Sequence, residues 1–532
     1  MRPSRPIAPP LLTCLCVVSL LRAQADRERD PARTFFSRGA VVEVAIELQP
    51  ADRQRLRDRP REYVPATLRL DGDKRGWSGV GVKLKGAAGS FREVDERPGF
   101  TVNLGKFGGE ARLHGLKRFH LNNGRQDASR MCEWVGHEVF AAAGYPAPRV
   151  GHARVWLDGE DLGLYVLREG YDKQFLQRVF GHLDGSLYDG GFCKDIDRDL
   201  EKDAGSGPDD LSDLAQLRAA CADVGDAEDR VRRLRAAVDV DRFLDFMAIE
   251  AMLGHWDGYS QNRNNFRLWI AADPAATCFL PHGMDQLYGD ADASVLAYPS
   301  AIVAKAVQQQ PAWRARYRAR LKALLPRFKP GPLVSKIKAR AAKVKRAMKS
   351  LDDDAVREFE GAVRDLTARV AARYRHLQKE VRRPDPKPLA FRGDRPVRLK
   401  SWRAAGETDH VALKKRSFGG TPALFVAVTS PGESERRGAY RATVLLGRGR
   451  YRFAAEARCR GVRGVGDARG ARVMVGDAAS EVAAGEQGWT ELSCTFEVED
   501  VQQSVELRME LRAADGEAWF RASSPQLQKL PE

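Results

Sequence analysis

Between Ala66 and Leu121 apolar residues recur at every second position in four short runs: ATLRLDG, GVGVKLKG, FTVNLG and RFHLNN. Gly and Asp separate the runs. A period of two puts alternate side chains on opposite faces of a sheet, so these runs predict strands. A further strand is predicted over 40–48, within an Arg/Asp-rich stretch covering 26–60. At 127–143 the period changes. Trp134, Val135, Val139 and Phe140 share one face of a helix, and Gly144 stops it. HARVWLDGEDLGLYVLREG then alternates on either side of Asp158-Gly159, which predicts a hairpin. Helical spacing follows at 171–180, 211–222, 226–237 and 239–254, with GSGPDD (205–210) as a loop. TCFLPHGMDQ reads as a buried strand running into polar residues, and 311–383 predicts two or three long helices.

The Pro-rich PDPKP at 384–388 cannot continue a helix, because proline lacks the N–H and clashes with the preceding turn. A linker is therefore expected over 384–389. Beyond it, 390–532 loses the helical period. Runs such as LFVAVT, YRFAAEAR, ELSCTFEV and SVELRMEL predict an all-β sandwich of jelly-roll type. The expected class is α+β: a β-rich lobe over about 40–168, a helical lobe over about 171–383, and a separate sandwich. A β lobe with one helix, joined to a helical lobe, is the outline of a bilobal protein kinase.

Composition narrows the choices. Of 532 residues, 43% are hydrophobic and 30% charged, which excludes wholesale disorder. The net charge of +16 suggests nucleic acid until it is located: 311–383 holds 22 Lys+Arg against seven Asp+Glu. Nothing else supports nucleic-acid binding, since zinc-finger spacing and aromatic-rich RNA-binding strands are missing from the sequence. The basic helices read as a solvated face over a packed stripe, or as a docking surface for an anionic polymer or acidic substrate. Arg2 and Arg5, an apolar stretch over 11–21 and Ala23-Gln24-Ala25 have the form of a cleaved leader, residues 1–25. An exported protein is therefore expected: periplasmic, cell-surface or secreted. After residue 25 no apolar run reaches the ~18 residues of a membrane helix. Cys14 and Cys16 fall in the leader, and the other six cysteines show no CxxC pair, which argues against zinc. In an exported chain Cys459 and Cys494 could pair.

The segment LGHWDGYSQNRNNFRLW (253–269) carries the candidate chemistry. It follows a helix with Phe243, Met247, Ile249 and Met252 at apolar positions. His255, Asp257 and Asn262 have the H-x-D-x-x-x-x-N spacing of a kinase catalytic loop. Such chemistry needs an Asp to orient an acceptor hydroxyl and an amide oxygen to hold a metal. One strand later it needs a second carboxylate for the metal, and Asp285 in PHGMDQLYG stands there. The chain has six Asn, and Asn262, Asn264 and Asn265 lie within four residues. A cluster against that scarcity points to a required amide, the other reading being an Asn-capped turn.

Five blocks occur in order: VGVKLKGAAGSFR, LHGLKRFHLNNGRQDASRMCEWVGHEVFAAAGYPAPRV, LGLYVLREGYDKQFL, HWDGYSQNRNNF and FLPHGMDQLYG. With them, residues 40–330 resemble the CotH kinase family, secretory atypical kinases of the spore coat protein H type. The resemblance implies ATP-dependent transfer of phosphate to Ser or Thr of a partner protein, with Mg²⁺ or Mn²⁺. It implies Asp257 as the catalytic-loop Asp and Asp285 as a metal ligand. Asn262 resembles the loop Asn, with Asn265 as second candidate. Glu169 falls where a hinge meets the adenine. Glu133, in preference to Glu138, falls where an acid pairs with the phosphate-binding Lys. Where the family carries that Lys this chain reads DERPGFTVNL, so the cation is Lys85 or Arg97. GAAGS (86–90) stands for a Gly-rich loop, and Gly283 replaces the first acid of a D-x-D pair. The alternative is a catalytically inactive scaffold or adhesion protein of the cell envelope. Trp402, Trp489, Trp519 and Phe520 would form a carbohydrate platform or fill the sandwich core. His114, His120 and His137 read as ordinary core or polar histidines.

Overall fold

The computed structural model describes Ala32, Phe35, Phe36 and residues 41–531, apart from 74–75, 109–111, 114, 349–352, 407–408, 433 and 465–469. The expected leader, with Arg2, Arg5, Cys14 and Cys16, and also His114, lies outside the described residues. The chain divides into two compact units. One runs to Val295 and resumes over Ser300–Arg383; the other comprises Leu296–Pro299 and Pro384–Glu532.

The first unit begins with a closed barrel of seven strands. These are β1 (Val41–Glu47), β2 (Val64–Leu70), β3 (Trp77–Lys85), β4 (Gly99–Asn103), β5 (Arg118–Asn122), β6 (Val150–Leu157) and β7 (Glu160–Glu169). Neighbours pair antiparallel in the order β1-β2-β3-β4-β5-β7-β6. Closure comes from β6 lying parallel to β1, from Val41 opposite His152 to Ile46 opposite Leu157. The period-two pattern is realised in β2, where Val64, Ala66, Leu68 and Leu70 point into the barrel core. Helix α1 (Pro50–Asp58) was not legible beforehand, because Leu56 is its single buried side chain. Helix α2 (Cys132–Ala142) starts five residues later than its periodicity predicts. The Asp127 carboxylate accepts from the Ser129 and Cys132 N–H groups, and Arg130 has φ +54°. A polar turn therefore precedes the helix.

A second sheet has the order β11-β10-β8-β9. It contains β8 (Gly185–Asp189), β9 (Glu201–Gly205), β10 (Phe266–Ala271) and β11 (Cys278–Pro281). Strand β9 reads EKDAG and has no apolar alternation to announce it. Around this sheet lie α3 (Lys173–Phe180), α4 (Ser212–Cys221), α5 (Ala227–Ala237), α6 (Val240–Leu253), the single turn α7 (Tyr259–Asn262) and α8 (Ile302–Gln308). The basic segment forms three helices: α9 (Pro311–Leu324), α10 (Pro330–Ala347) and α11 (Asp353–Glu380). Its charge is not all on the surface, because Arg314, Arg340 and Arg373 are buried. Arg373 donates to the carbonyls of Ala251, Met252, Ala291 and Ala293, and so satisfies the C-terminal end of α6. Among the described residues no helix is long and apolar enough to cross a membrane.

The second unit is a ten-stranded sheet, running in chain order from β12 (Val397–Arg398) to β21 (Gln526–Lys529). Its two longest strands, β16 (Arg436–Arg463) and β19 (Gly485–Ala513), pair along their length. The register breaks between Gly447 and Gly449, opposite residues 499–501, so ATVLL and YRFAAEAR are two parts of one interrupted strand. Strand β15 (Thr421–Val428) is covered on both faces. Leu424, Val426 and Val428 enter the main core, while Ala423, Phe425 and Ala427 pack with Trp519. Phe520 lies in the main core, and Trp402 stacks on Phe453 at 5.9 Å. Trp519 and Phe520 are packing residues, while Trp402 is partly buried against that core.

The pairing of Cys459 with Cys494 is not realised, and all six described cysteines are free. Cys494 sits opposite Phe453 and Cys459 opposite Gln487, six residues further along the same strand. At about 3.3 Å per residue the two α-carbons are far beyond bridging distance. A bridge closing this loop would hold about 3–4 kcal/mol. The melting temperature should therefore be the same with and without reductant, and a fall of several degrees in dithiothreitol would contradict the register.

Candidate functional site

A cleft of about 390 Å³ in the first unit gathers most of the candidate residues. Its barrel side is built from Lys85 at the end of β3, Asn122 at the end of β5 and Glu133 in the first turn of α2. Its other side comes from the α6–β10 loop, which brings Asp257, Asn264 and Asn265, and from the turn after β11, which brings Gly283 and Asp285. The GAAGS turn overhangs both. There the Ala87 carbonyl accepts from the Ser90 and Phe91 N–H groups, and Gly86 has φ +114°.

Asp257 is held by its own loop. Its carboxylate accepts from the amides of Asn262, Asn264 (3.1 Å to each oxygen) and Asn265 (2.7 Å). All three asparagines of the cluster thus converge on one carboxylate. Asn265 sits at φ +47°, a left-handed conformation that Asn tolerates. Gly258 is needed beside it, since a Cβ there would lie 2.4 Å from Glu250 Oε1. Glu250, on α6, was not singled out in the sequence, although it interrupts the apolar run Phe246–Leu253. Fully buried, it accepts from the Tyr259 N–H (3.0 Å), the Ser260 N–H (3.1 Å) and the Ser260 hydroxyl (2.7 Å). Burial lifts its carboxyl to about 7. His255 ties the α6–β10 loop to the turn after β11 through a 3.0 Å bond between Nε2 and the His282 carbonyl, and burial pulls its imidazole down to about 4.

The Lys–acid pair is indirect. The Lys85 ammonium donates to Asn122 Oδ1, and Asn122 Nδ2 donates to Glu133 at 2.6 Å. The other Glu133 oxygen lies 3.5 Å from the buried Arg168 guanidinium. Burial, with Arg168 adding, lowers Lys85 to about 8. Glu138 instead pairs with Lys336 on the surface. Asn122 and Arg168 are members of this relay that carry no local motif in the sequence.

Asp285 is raised to about 7, by burial first and then by the charge of Glu133. Gly283, where a D-x-D pair would have an acid, has φ +54°, and a Cβ there would lie 2.2 Å from Asn265 Oδ1. Its place is therefore taken by the Asn265 amide oxygen. Among the described residues there is no cluster of three or more His, Cys, Asp or Glu. The Asp285 carboxylate and the Asn265 amide oxygen are hard oxygen donors, the type that suits a hard divalent cation. Asn262 is bonded to Asp257 and does not line the cleft.

Two candidates lie elsewhere. Arg97 donates to the Leu164 carbonyl and stacks on Tyr165 at 5.2 Å, outside the cleft lining. Glu169 is buried between Arg149 (2.7 Å) and Arg178 (2.6 Å), and its carboxylate is not offered to a ligand. The half-buried His137 has a pKa lowered by desolvation to about 4, and the half-buried His120 bonds Thr101 at 3.1 Å, as ordinary structural histidines do.

The chain matches the CotH kinase protein family over residues 82–384, more than half its length, and belongs to that family. It is 25% identical over 172 residues to the spore coat protein homolog 1 of Rhizopus delemar. That alignment takes in 29% of this chain and spans about a quarter (27%) of the relative's length. Solved structures with some likeness include the CBM22-1 xylan-binding domain of Paenibacillus barcinonensis Xyn10C (13% identity, 27% of this chain, 99% of that one, TM-score 0.19). Another is a family 35 carbohydrate binding module from Clostridium thermocellum (13% identity, 25% and 97%, TM-score 0.18).

Glu250 provides a pH test of the loop's support. Its folded-state value, about 7, lies above the ordinary 4.5. Between those values the folded protein holds the proton more tightly than the unfolded chain, so stability falls as pH rises from about 4.5 to 7. Glu250→Gln removes that titration. Its melting temperature relative to the parent should rise between pH 5 and pH 7, by the equivalent of up to about 3 kcal/mol. Parallel curves for the two proteins would show that Glu250 does not titrate there.

Proposed function

We propose that this protein transfers the γ-phosphoryl group of ATP to a Ser or Thr hydroxyl of an envelope or secreted protein, in a cleft between two kinase-like lobes. The observation that carries the reading is the convergence of Lys85, Asp257, Asn265 and Asp285 on one cleft beneath a Gly-rich turn. Phosphoryl transfer asks mainly for positioning and for neutralised charge, and these groups supply both. Lys85, held by Asn122, binds the phosphates. Asp257 orients the acceptor hydroxyl and takes its proton as the oxygen attacks the γ-phosphorus and ADP leaves. Asn262 and Asn264 keep the Asp257 carboxylate aimed. Asp285 and the Asn265 amide oxygen would hold Mg²⁺ or Mn²⁺, which would supply positive charge to offset that of the phosphates. The leader-like N-terminus supports a setting outside the cytoplasm.

Asp285→Asn should fold and bind nucleotide, but Mn²⁺ should no longer tighten that binding, and transfer should be undetectable. Asp257→Asn should keep nucleotide and metal binding and lose transfer by about 10²–10⁴-fold, because it alters the group acting on the hydroxyl. Titration of labelled ATP with and without Mn²⁺, beside a phosphate-incorporation assay, reads both. A native protein that binds no nucleotide under either metal sinks the reading and leaves the inactive scaffold.

For the second unit we propose binding of an anionic polymer such as an acidic polysaccharide. A cavity of about 450 Å³ lined by Lys400, Trp402, Lys415 and Arg416 supports it. Retention on a polyanionic resin should weaken with salt, and weaken further in Lys415→Gln/Arg416→Gln. Unchanged retention of that variant counts against this surface.

A further inference from the structure

Behind the Gly-rich turn, outside the cleft, four arginines meet. Arg92, Arg97, Arg125 and Arg130 line a cavity of about 460 Å³, faced by Glu96 and Glu358. Four guanidiniums therefore stand against two carboxylates. Arg92 lies 4.0 Å from Glu96, and its Nη1 donates to the Phe91 carbonyl. Arg97 is spread over the Tyr165 ring, and Arg130 Nη1 donates to the Asp127 carbonyl at 3.1 Å. The Nε–H groups of Arg97 and Arg130 are buried without a hydrogen-bond partner. An unmade bond on a buried charged donor is costly, and so is the approach of like charges away from water. Burial first, and Arg97 second, pull the Arg130 guanidinium down to about 10, against the opposing charges of Asp127 and Glu358.

An anion bound in the cavity would relieve both costs. With Asp127 also opposing Arg130, the arginines still outnumber the carboxylates around them, and the unpaired donors belong to two different residues. A tetrahedral oxyanion presents more acceptor oxygens to these separate donors than the two of a carboxylate. Guanidiniums match such tetrahedral oxyanions in pairs of parallel N–H bonds.

We infer that this arginine-lined cavity is a binding site for a phosphate-type oxyanion, free or as a monoester, separate from the cleft that holds Lys85 and Asp285. The wall between the two cavities is thin. Asn123 and Gly124 line both, and Asn123 Nδ2 donates to the Ser90 carbonyl (3.0 Å) and the Arg97 carbonyl (2.9 Å). The anion would sit directly behind the turn that overhangs the cleft. The site does not depend on the transfer reaction proposed above.

The test is calorimetric titration of the full chain with inorganic phosphate at constant ionic strength. One site is expected. Arg125→Gln, a change at an exposed side chain, should weaken it about tenfold, the scale of one charged hydrogen bond. Arg97→Gln/Arg130→Gln should abolish it, with circular dichroism confirming the fold. Lys85→Gln should leave it intact. Competition by O-phosphoserine identifies a monoester as ligand, and its failure identifies the free anion; either result keeps the site. Absence of phosphate binding, binding unaltered in Arg125→Gln, or binding lost in Lys85→Gln would each overturn the inference.

Discussion

One carboxylate, bonded by three amides from its own loop, sets the geometry of one wall of the cleft. Asp257 and the asparagines at 262, 264 and 265 form a closed local knot. The backbone can tie it only because Arg263 and Asn265 adopt positive φ and Gly258 carries no side chain. Glu250 holds the loop from below through Tyr259 and Ser260, while Arg373 fixes the helix end from which it departs. The His282 segment is tied in twice, by the His255 ring and by its own N–H on the Asn265 carbonyl. Asp285 follows within three residues. The position of the second carboxylate therefore depends on the first.

How much of this was legible follows from how local each interaction is. The strands of the barrel show in a period of two, and the Asp–Asn knot shows as a spacing within nine residues. What joins distant segments does not show. Asn122 reads as a strand end until Lys85 and Glu133 arrive on either side of it. Arg97 and Glu169 are the right residue types in the right order, yet each is turned away by neighbours from other strands and helices: Tyr165 and Leu164 for one, Arg149 and Arg178 for the other. Gly283 looked like a lost ligand and is instead the gap that admits the Asn265 oxygen.

Charge is similarly divided. The basic segment accounts for most of the net charge, and its alternation suggests a solvated face. Lys336 and Lys345 do form exposed pairs with Glu138 and Glu360. Arg314, Arg340 and Arg373 do not belong to that face, since they donate to Gln308, His152 and a set of carbonyls inside the fold. A tally of charge cannot separate the two groups, because both recur at helical spacing.

The parallel seam between β1 and β6 has a consequence for the order in which the barrel forms. Val41 and His152 are neighbours in the seam and more than a hundred residues apart in the chain. Chain made from the N-terminus gains the hairpin-like pairs β1-β2, β2-β3, β3-β4 and β4-β5 early, because each needs only local sequence. Until Leu157 has emerged, β1 remains an open edge with unpaired backbone groups, able to pair with another copy of itself. A chain released or translocated before that point carries a sticky margin. Once the seventh strand is in place, no margin is left.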